Sequence, residues 1–277
     1  MKKAIKDAFV DIISFINYIF IVTINFIRKK SIIRVLVYHS IPTSDSGDNI
    51  DMEVPSVILE GQIDYLSRKG FKFLEADNLI KITESKTFSD NKKAVLITFD
   101  DGFYNNYLNA VRILDRNKIK ALFFIAAEEL GKGSFSWLPG NNYGRPLNWQ
   151  EVKEISARGH LIGSHTLNHK CLSKIDRDDL KKEIFESKKI IEKNIQKEVK
   201  YISYPFGFYD SFNEKIKNLC KEAGYKAAFS NILGDVNKNS DLYELRRVRI
   251  SKKDKGLRFI MKLAGAYDWV DSIKRIV

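Results

Sequence analysis

Two adjacent carboxylates, Asp100 and Asp101, close the apolar run LITF (96–99) and are followed by Gly102. Farther along, SHTLNH (164–169) sets His165 and His169 four residues apart, and VLVYH (35–39) ends on His39. One Asp and two His make a facial ligand set that leaves positions open for water and substrate. A carboxylate beside the ligand Asp can act as general base, and a further His as general acid. The i, i+4 histidine spacing is one helical turn, which lets both imidazoles reach one ion. Adjacent residues at a strand end point in different directions, so the two aspartates can take separate roles. Each string also has a plain structural account. Asp-Asp-Gly is a common turn, and His39 by itself reads as a satisfied structural histidine. His160, opening a strand after Gly159, reads the same way, and Cys171 reads as a small packed residue.

The elements that must position these residues alternate. Short apolar runs read as buried strands at 34–39, 94–100, 121–126, 160–165, 201–205, 227–230 and 245–250. Stretches with helical spacing lie between many of them, at 56–70, 104–118, 148–159, 177–196 and 209–224. This alternation predicts an α/β fold with a mostly parallel sheet and outer helices. Seven or so strands fit a distorted (β/α) barrel, with an open doubly wound sheet as the alternative. In either architecture the C-terminal strand ends open on one face. His39, the Asp100–Asp101 pair, His165 and the PFG turn (205–207) all follow strands, so they are expected to converge there. The Gly-, Pro- and Asn-rich loop 131–147, which carries Trp137, is long enough to be a binding loop. A second loop, 42–49, follows the first strand.

The chain has 277 residues and a net charge of +12. Its basic residues are scattered, and no nucleic-acid module signature occurs, so nucleic acid is not an expected partner. Cys171 and Cys220 do not form a CxxC or a disulfide framework. Residues 8–27 are mostly apolar, with Lys2, Lys3 and Lys6 before them and Arg28, Lys29 and Lys30 after. That length suits a membrane-spanning helix. Asp11, Ser14 and Tyr18 share a helical face, with Asn25 near the same line, and this stripe would also suit a helix lying in the interface. Basic residues at both ends leave the side of the membrane open. Residues 257–277 repeat apolar residues at helical spacing and are expected to form an amphipathic helix docked on the domain, with contact to a membrane surface as the alternative.

The strings TFDDG (98–102), SHTLNH (164–169) and YPFG (204–207), in that order, resemble the polysaccharide deacetylase family of NodB-homology carbohydrate esterases. The resemblance covers about residues 92–250. It implies a distorted β/α barrel that hydrolyses acetyl groups on sugars, usually with one zinc ion. Carried over residue by residue, it makes Asp100 the catalytic base and Asp101, His165 and His169 the metal ligands. The backbone N–H of Phe206 would help hold the oxyanion. Tyr204 and Pro205 of the third motif, with Trp137 of the long loop, are the expected substrate contacts. VLVYHSI (35–41) and FLEADNLI (73–80) are similar to the branch acting on surface poly-N-acetylglucosamine. In that branch an early-strand histidine replaces the late one, which makes His39 the candidate general acid. No histidine follows His169 here. The family's third motif commonly begins with Arg, whereas this chain has Ser203, and Arg247 is the candidate substitute.

The organisation expected is therefore a membrane-associated helix at 1–30, the early part of the barrel with His39 at 31–91, the deacetylase core at 92–256, and the C-terminal helix at 257–277. The function expected is metal-dependent removal of N-acetyl groups from a bacterial-type surface polysaccharide. The alternatives are deacetylation or deformylation of a lipid-linked amino sugar, and a catalytically silent glycan-binding protein. A two-metal phosphodiesterase would need a second ligand cluster, which the sequence lacks.

Overall fold

In the computed structural model, residues 2–28, 31–45, 52–85, 93–138 and 144–274 are described. Lys29 and Lys30, parts of the loops 42–49 and 131–147, and the last three residues lie outside the described residues, as do the side chains of Lys2, Lys3, Asn25 and Arg28.

The strands are runs of β-branched and aromatic residues with no polar alternation, the pattern of strands covered on both faces. β1 (Ile32–Tyr38), β3 (Lys93–Phe99), β4 (Leu122–Ile125), β5 (Leu161–Ser164), β6 (Tyr201–Ser203), β7 (Ala227–Phe229) and β8 (Val248–Arg249) form one parallel sheet in the order β7-β6-β5-β4-β3-β1-β8, with β2 (Lys72–Phe73) paired to β3. A parallel bridge between Phe229 and Leu245 brings the segment before β8 back to β7, so the sheet curls toward closure. The expected distorted (β/α) barrel is what forms. The early segment is integral to it, because β1 lies between β3 and β8.

One face of the strands packs on outer helices. α2 (Ser56–Arg68) contributes Leu59 and Ile63, α5 (Trp149–Ala157) Val152 and Ile155, and α8 (Glu214–Glu222) Ile216 and Leu219. The other face, with Val35, Leu96, Phe124 and Phe229, packs on itself and on α3 (Ala76–Ser85). Gly163 is required by this packing, because a Cβ there would lie 2.5 Å from Phe124 and 3.0 Å from the Tyr201 carbonyl oxygen.

Register aligns the site before any side chain is considered. Tyr38 pairs with Phe99, so His39 and Asp100 emerge side by side. Ser164 pairs with Ile202, so His165 emerges beside Ser203.

Two predicted helices are interrupted by π-helical turns. Asn106–Ala110 precedes α4 (Val111–Arg116), and Lys182–Glu186 joins α6 (Arg177–Lys181) to α7 (Ser187–Ile195). The helix expected from 209 begins only at Glu214, where the Asn213 side chain accepts a hydrogen bond from the Ile216 N–H.

The C-terminal end of the chain departs from expectation. Residues 257–277 are not one helix. α9 (Gly256–Ala264) stops at Gly265, whose φ is 92°, and α10 (Trp269–Lys274) follows. Arg34 fills the break, donating to the Leu263 carbonyl at 3.0 Å and to Asp268 at 2.7 Å. α9 docks on the domain through Phe259, Met261 and Leu263, the turn after it through Ala266 and Tyr267, and α10 through buried Asp271, which accepts from the Leu233 N–H at 2.9 Å and from Arg249 at 2.7 Å. At the other end, residues 2–28 do form a helix, α1 (Lys2–Arg28). Among the described residues, no helix is long and apolar enough to cross a membrane.

Candidate active site

Asp100 and Asp101 leave β3 on the open face of the barrel. Asp101 has φ 72°, a left-handed conformation that Asp adopts more readily than most residues. That turn sends the two carboxylates to different partners.

Asp100 is fully buried against Arg247. The guanidinium donates to its Oδ1 at 2.8 Å and its Oδ2 at 2.6 Å, and the Ser203 hydroxyl donates to Oδ2 at 3.1 Å. Arg247 also donates to Ser203 Oγ at 2.7 Å, to Asn231 Oδ1 and the Ser230 carbonyl at 2.8 Å each, and weakly to Thr98 Oγ1 at 3.3 Å. Burial would raise the Asp100 carboxyl. The Arg247 charge and hydrogen bonds, aided by the imidazoles of His165 and His39, outweigh it and hold the group below its ordinary range. Asp100 is therefore held oriented and in a form able to accept a proton. Arg247 is itself buried, with its guanidinium engaged by Asp100, Ser203 and Asn231, so it orients and tunes Asp100.

Asp101 faces the two histidines. Its Oδ1 is 3.3 Å from His165 Nε2 and 3.4 Å from His169 Nε2, yet it has no well-formed hydrogen bond. The three potential ligand atoms lie within 4.8 Å of one another. The predicted i, i+4 spacing works without a helical turn. Residues 165–169 form a loop in which Thr166 (φ 68°) and His169 (φ 55°) are left-handed, and this folds the second imidazole back to 4.9 Å from the first. For the β-branched Thr166 such a φ is a strained conformation of the kind that concentrates at functional sites. Buried Glu183 holds the loop by accepting the N–H groups of Leu167 and Asn168 at 2.9 Å each.

The donor chemistry fits a cation. His165 Nδ1 is 2.8 Å from the Ser203 carbonyl oxygen, which can only accept, so Nδ1 carries the proton and Nε2 turns a lone pair toward Asp101. Burial pushes the His169 imidazole down to about 4 against the pull of Asp101. For His165, burial also opposes the charge, but Asp100 and Asp101 outweigh it and raise proton affinity. For Asp101, burial would raise the carboxyl, yet the adjoining imidazoles of His165, His169 and His39 hold it far below the carboxylate range. A buried carboxylate oxygen and two imidazole nitrogens within 4.8 Å of one another are a set that could hold a cation. Their nitrogen and oxygen donors are of the type that zinc takes.

The remaining expected residues divide. His39 leaves β1 half-buried, close enough to act electrostatically on Asp100, Asp101 and His169. Phe206 is left-handed (φ 63°), and its ring is exposed 5.2 Å from His169. Its carbonyl accepts from Asn231 Nδ2 at 2.9 Å, while no acceptor among the described residues takes its N–H. Trp137 stacks on His169 with ring centroids 4.2 Å apart, which places its ring at the site.

Tyr204 and Pro205 do not reach it. Tyr204 is fully buried, stacks on Phe212, donates its hydroxyl to the Tyr243 carbonyl and its N–H to the Phe229 carbonyl. Pro205 is buried behind Phe206. Both shape the turn and neither offers a substrate contact, because strand alternation sends Tyr204 into the core.

The structure adds residues that the motifs did not single out. Asn231 ties the Phe206 carbonyl to Arg247, and so links the two halves of the site. Glu129, fully buried after β4, accepts the Ser136 N–H at 2.8 Å and its hydroxyl at 2.9 Å, which fixes the loop bearing Trp137. Glu183 carried a legible signal, a charge on the apolar stripe of Leu180, Ile184 and Ile191. Asn231 and Glu129 carried none.

Comparison with known proteins agrees with this geometry. The sequence profile of the polysaccharide deacetylase family matches residues 88–228. Bacillus subtilis YxkH is 29% identical over 248 residues, covering 89% of this chain and 79% of its own length. A poly-β-1,6-N-acetyl-D-glucosamine N-deacetylase of Staphylococcus aureus is 29% identical over 234 residues, covering 81% and 76%. The Streptococcus pyogenes deacetylase PplD, solved in complex with acetate, shares the fold at a TM-score of 0.73 and 23% identity, covering 84% of this chain and 98% of that one.

Proposed function

Because the chain belongs to the polysaccharide deacetylase family, we propose that it is a metal-dependent hydrolase removing N-acetyl groups from the amino sugars of a surface polysaccharide. The observation that carries the reading is the buried Asp101–His165–His169 trio beside a second carboxylate, Asp100, clamped by Arg247. The Staphylococcus relative supports a polymer of N-acetylglucosamine as substrate.

A divalent cation held by Asp101, His165 and His169, with zinc the first expectation, would supply Lewis acidity toward the acetamide carbonyl and the attacking water. Asp100, kept ionised by Arg247 and Ser203, takes a proton from that water as its oxygen bonds to the carbonyl carbon. The Phe206 N–H, free to donate and fixed by Asn231, meets the negative charge that develops on the carbonyl oxygen. His39 gives a proton to the nitrogen as the C–N bond breaks, which leaves acetate and a free amino sugar. Trp137, stacked over His169, walls the site on the side of the 131–138 loop and offers a sugar an aromatic face.

The test is direct. The full chain, incubated with β-1,6-linked N-acetylglucosamine oligomers, should release acetate and free amine in equal amounts. His39→Ala should slow that release by ~10²–10⁴, as expected for loss of a general acid. Absence of acetate release from every N-acetylated glycan offered, by protein with its cation bound, would overturn the assignment.

A further inference from the structure

α1 turns its polar stripe inward and its apolar side outward. Asp11 accepts from Arg258 at 2.6 Å and from the Tyr267 hydroxyl at 2.6 Å. The buried Ser14 hydroxyl accepts from the Trp269 indole at 3.2 Å, and Asn17 donates to the Ala266 carbonyl at 3.0 Å. Val10, Tyr18 and Ile21 complete the inner face against Met261 and Tyr267. On the opposite side Phe9, Ile12, Ile16, Ile19 and Phe20 are each more than half exposed. Leu257 of α9 extends this ridge, and a groove of about 370 Å³ opens between it and Phe15. A helix docked on its own domain normally shows the reverse arrangement.

We infer that α1 is an interfacial helix, lying in the plane of a bilayer of acidic phospholipid with its outer ridge among the acyl chains. Charge favours this occupant over a second copy of the chain. Lys2, Lys3 and Lys6 precede the ridge in sequence and Arg28, Lys29 and Lys30 follow it. Lys6 and, at the start of α9, Lys255 are exposed beside it. Two chains of net charge +12 meeting through this face would bring like charge to like, whereas anionic headgroups complement it. The inward bonds set the orientation. A spanning α1 would have to carry Asp11, Ser14 and Asn17 into hydrocarbon without their partners on α9, α10 and the turn between them. An in-plane helix keeps every one of them and buries the ridge alone.

The experiment uses the full chain and vesicles of phosphatidylcholine with or without phosphatidylglycerol. Co-sedimentation should be strong with phosphatidylglycerol and weaker by ~10-fold or more without it. Ile12→Ser/Ile16→Ser/Phe20→Ser replaces only exposed side chains, so melting temperature and acetate release should be preserved while vesicle affinity falls by ~100-fold or more. Environment-sensitive labels on Phe9→Cys and Phe20→Cys, each in a Cys171→Ser background, should report equal depth. A depth difference near ~16 Å, the rise of the intervening helix, would mean that α1 spans and would overturn the proposal. So would vesicle binding unchanged in the triple variant, or a ridge buried in a dimer with no affinity for vesicles.

Discussion

Arg247→Met removes the positive charge on which Asp100 depends while keeping most of the side-chain volume. The guanidinium makes two charge-assisted hydrogen bonds to Asp100 and three shorter than 3 Å to Ser203, Asn231 and the Ser230 carbonyl, all within the buried site. Breaking a buried pair by removing one partner costs about 3–5 kcal/mol, because the other charge stays desolvated. Against a total stability of about 5–15 kcal/mol, that is a large loss. Asp100 can limit it by taking a proton, since burial already favours the neutral form once Arg247 is gone. A protonated Asp100 cannot accept a proton from water, so acetate release at neutral pH should fall by ~10²–10⁴. The sign follows from the direction of the native shift. Arg247 holds the carboxyl low, so its removal moves the acid limb of the rate profile to higher pH. Denaturant melts and acetate release across pH measure both effects. Arg247→Met/Asp100→Asn should recover part of the lost stability, because no charge is stranded, but none of the activity. A single variant within twofold of native activity and within about 1 kcal/mol of native stability would refute the reasoning.

Two further outcomes follow from residues outside the ligand set. Glu129→Ala should free the loop bearing Trp137, raising KM by ~10-fold with cation content unchanged; unchanged steady-state kinetics would deny the loop its role. Burial depresses the His160 imidazole to about 4, against the upward pull of Asp115. Its unfolded value is near 6.5, so the unfolded chain binds more protons between these values. Stability should therefore fall by as much as about 3 kcal/mol as pH drops through that window. His160→Gln should flatten the slope there, and an unchanged slope would show that another group carries it.

Much of the site was legible because chain direction and register do most of the placing. In a parallel sheet, residues that follow strands share an address, and Tyr38 pairing with Phe99 puts His39 beside Asp100. The DDG, HTLNH and PFG strings needed only that frame. The side chains that orient them were harder to read. Arg247 could be named from a missing arginine at Ser203, yet nothing local showed that Ser203 would serve both aspartate and histidine, through its hydroxyl and its carbonyl. Asn231 and Glu129 act across long sequence separations, which periodicity does not record. Tyr204 was misread because motif proximity outranked strand alternation, which sends it inward. The C-terminal helix was misread because Gly265 sits in an otherwise unbroken apolar pattern, and the need for a break comes from Arg34, far away in sequence. For α1, the sequence showed a polar stripe and an apolar stripe but not which of them meets the domain.

The central claim is that Asp101, His165 and His169 hold a cation while the neighbouring Asp100 moves a proton. Bound metal and acetate release, measured on the same samples of native protein, Asp100→Asn and Asp101→Ala, test it most directly. The account predicts about one equivalent of divalent metal in the native protein and in Asp100→Asn, with turnover lost in the latter, and loss of both metal and turnover in Asp101→Ala. Full metal content in Asp101→Ala, or native turnover in Asp100→Asn, would contradict it.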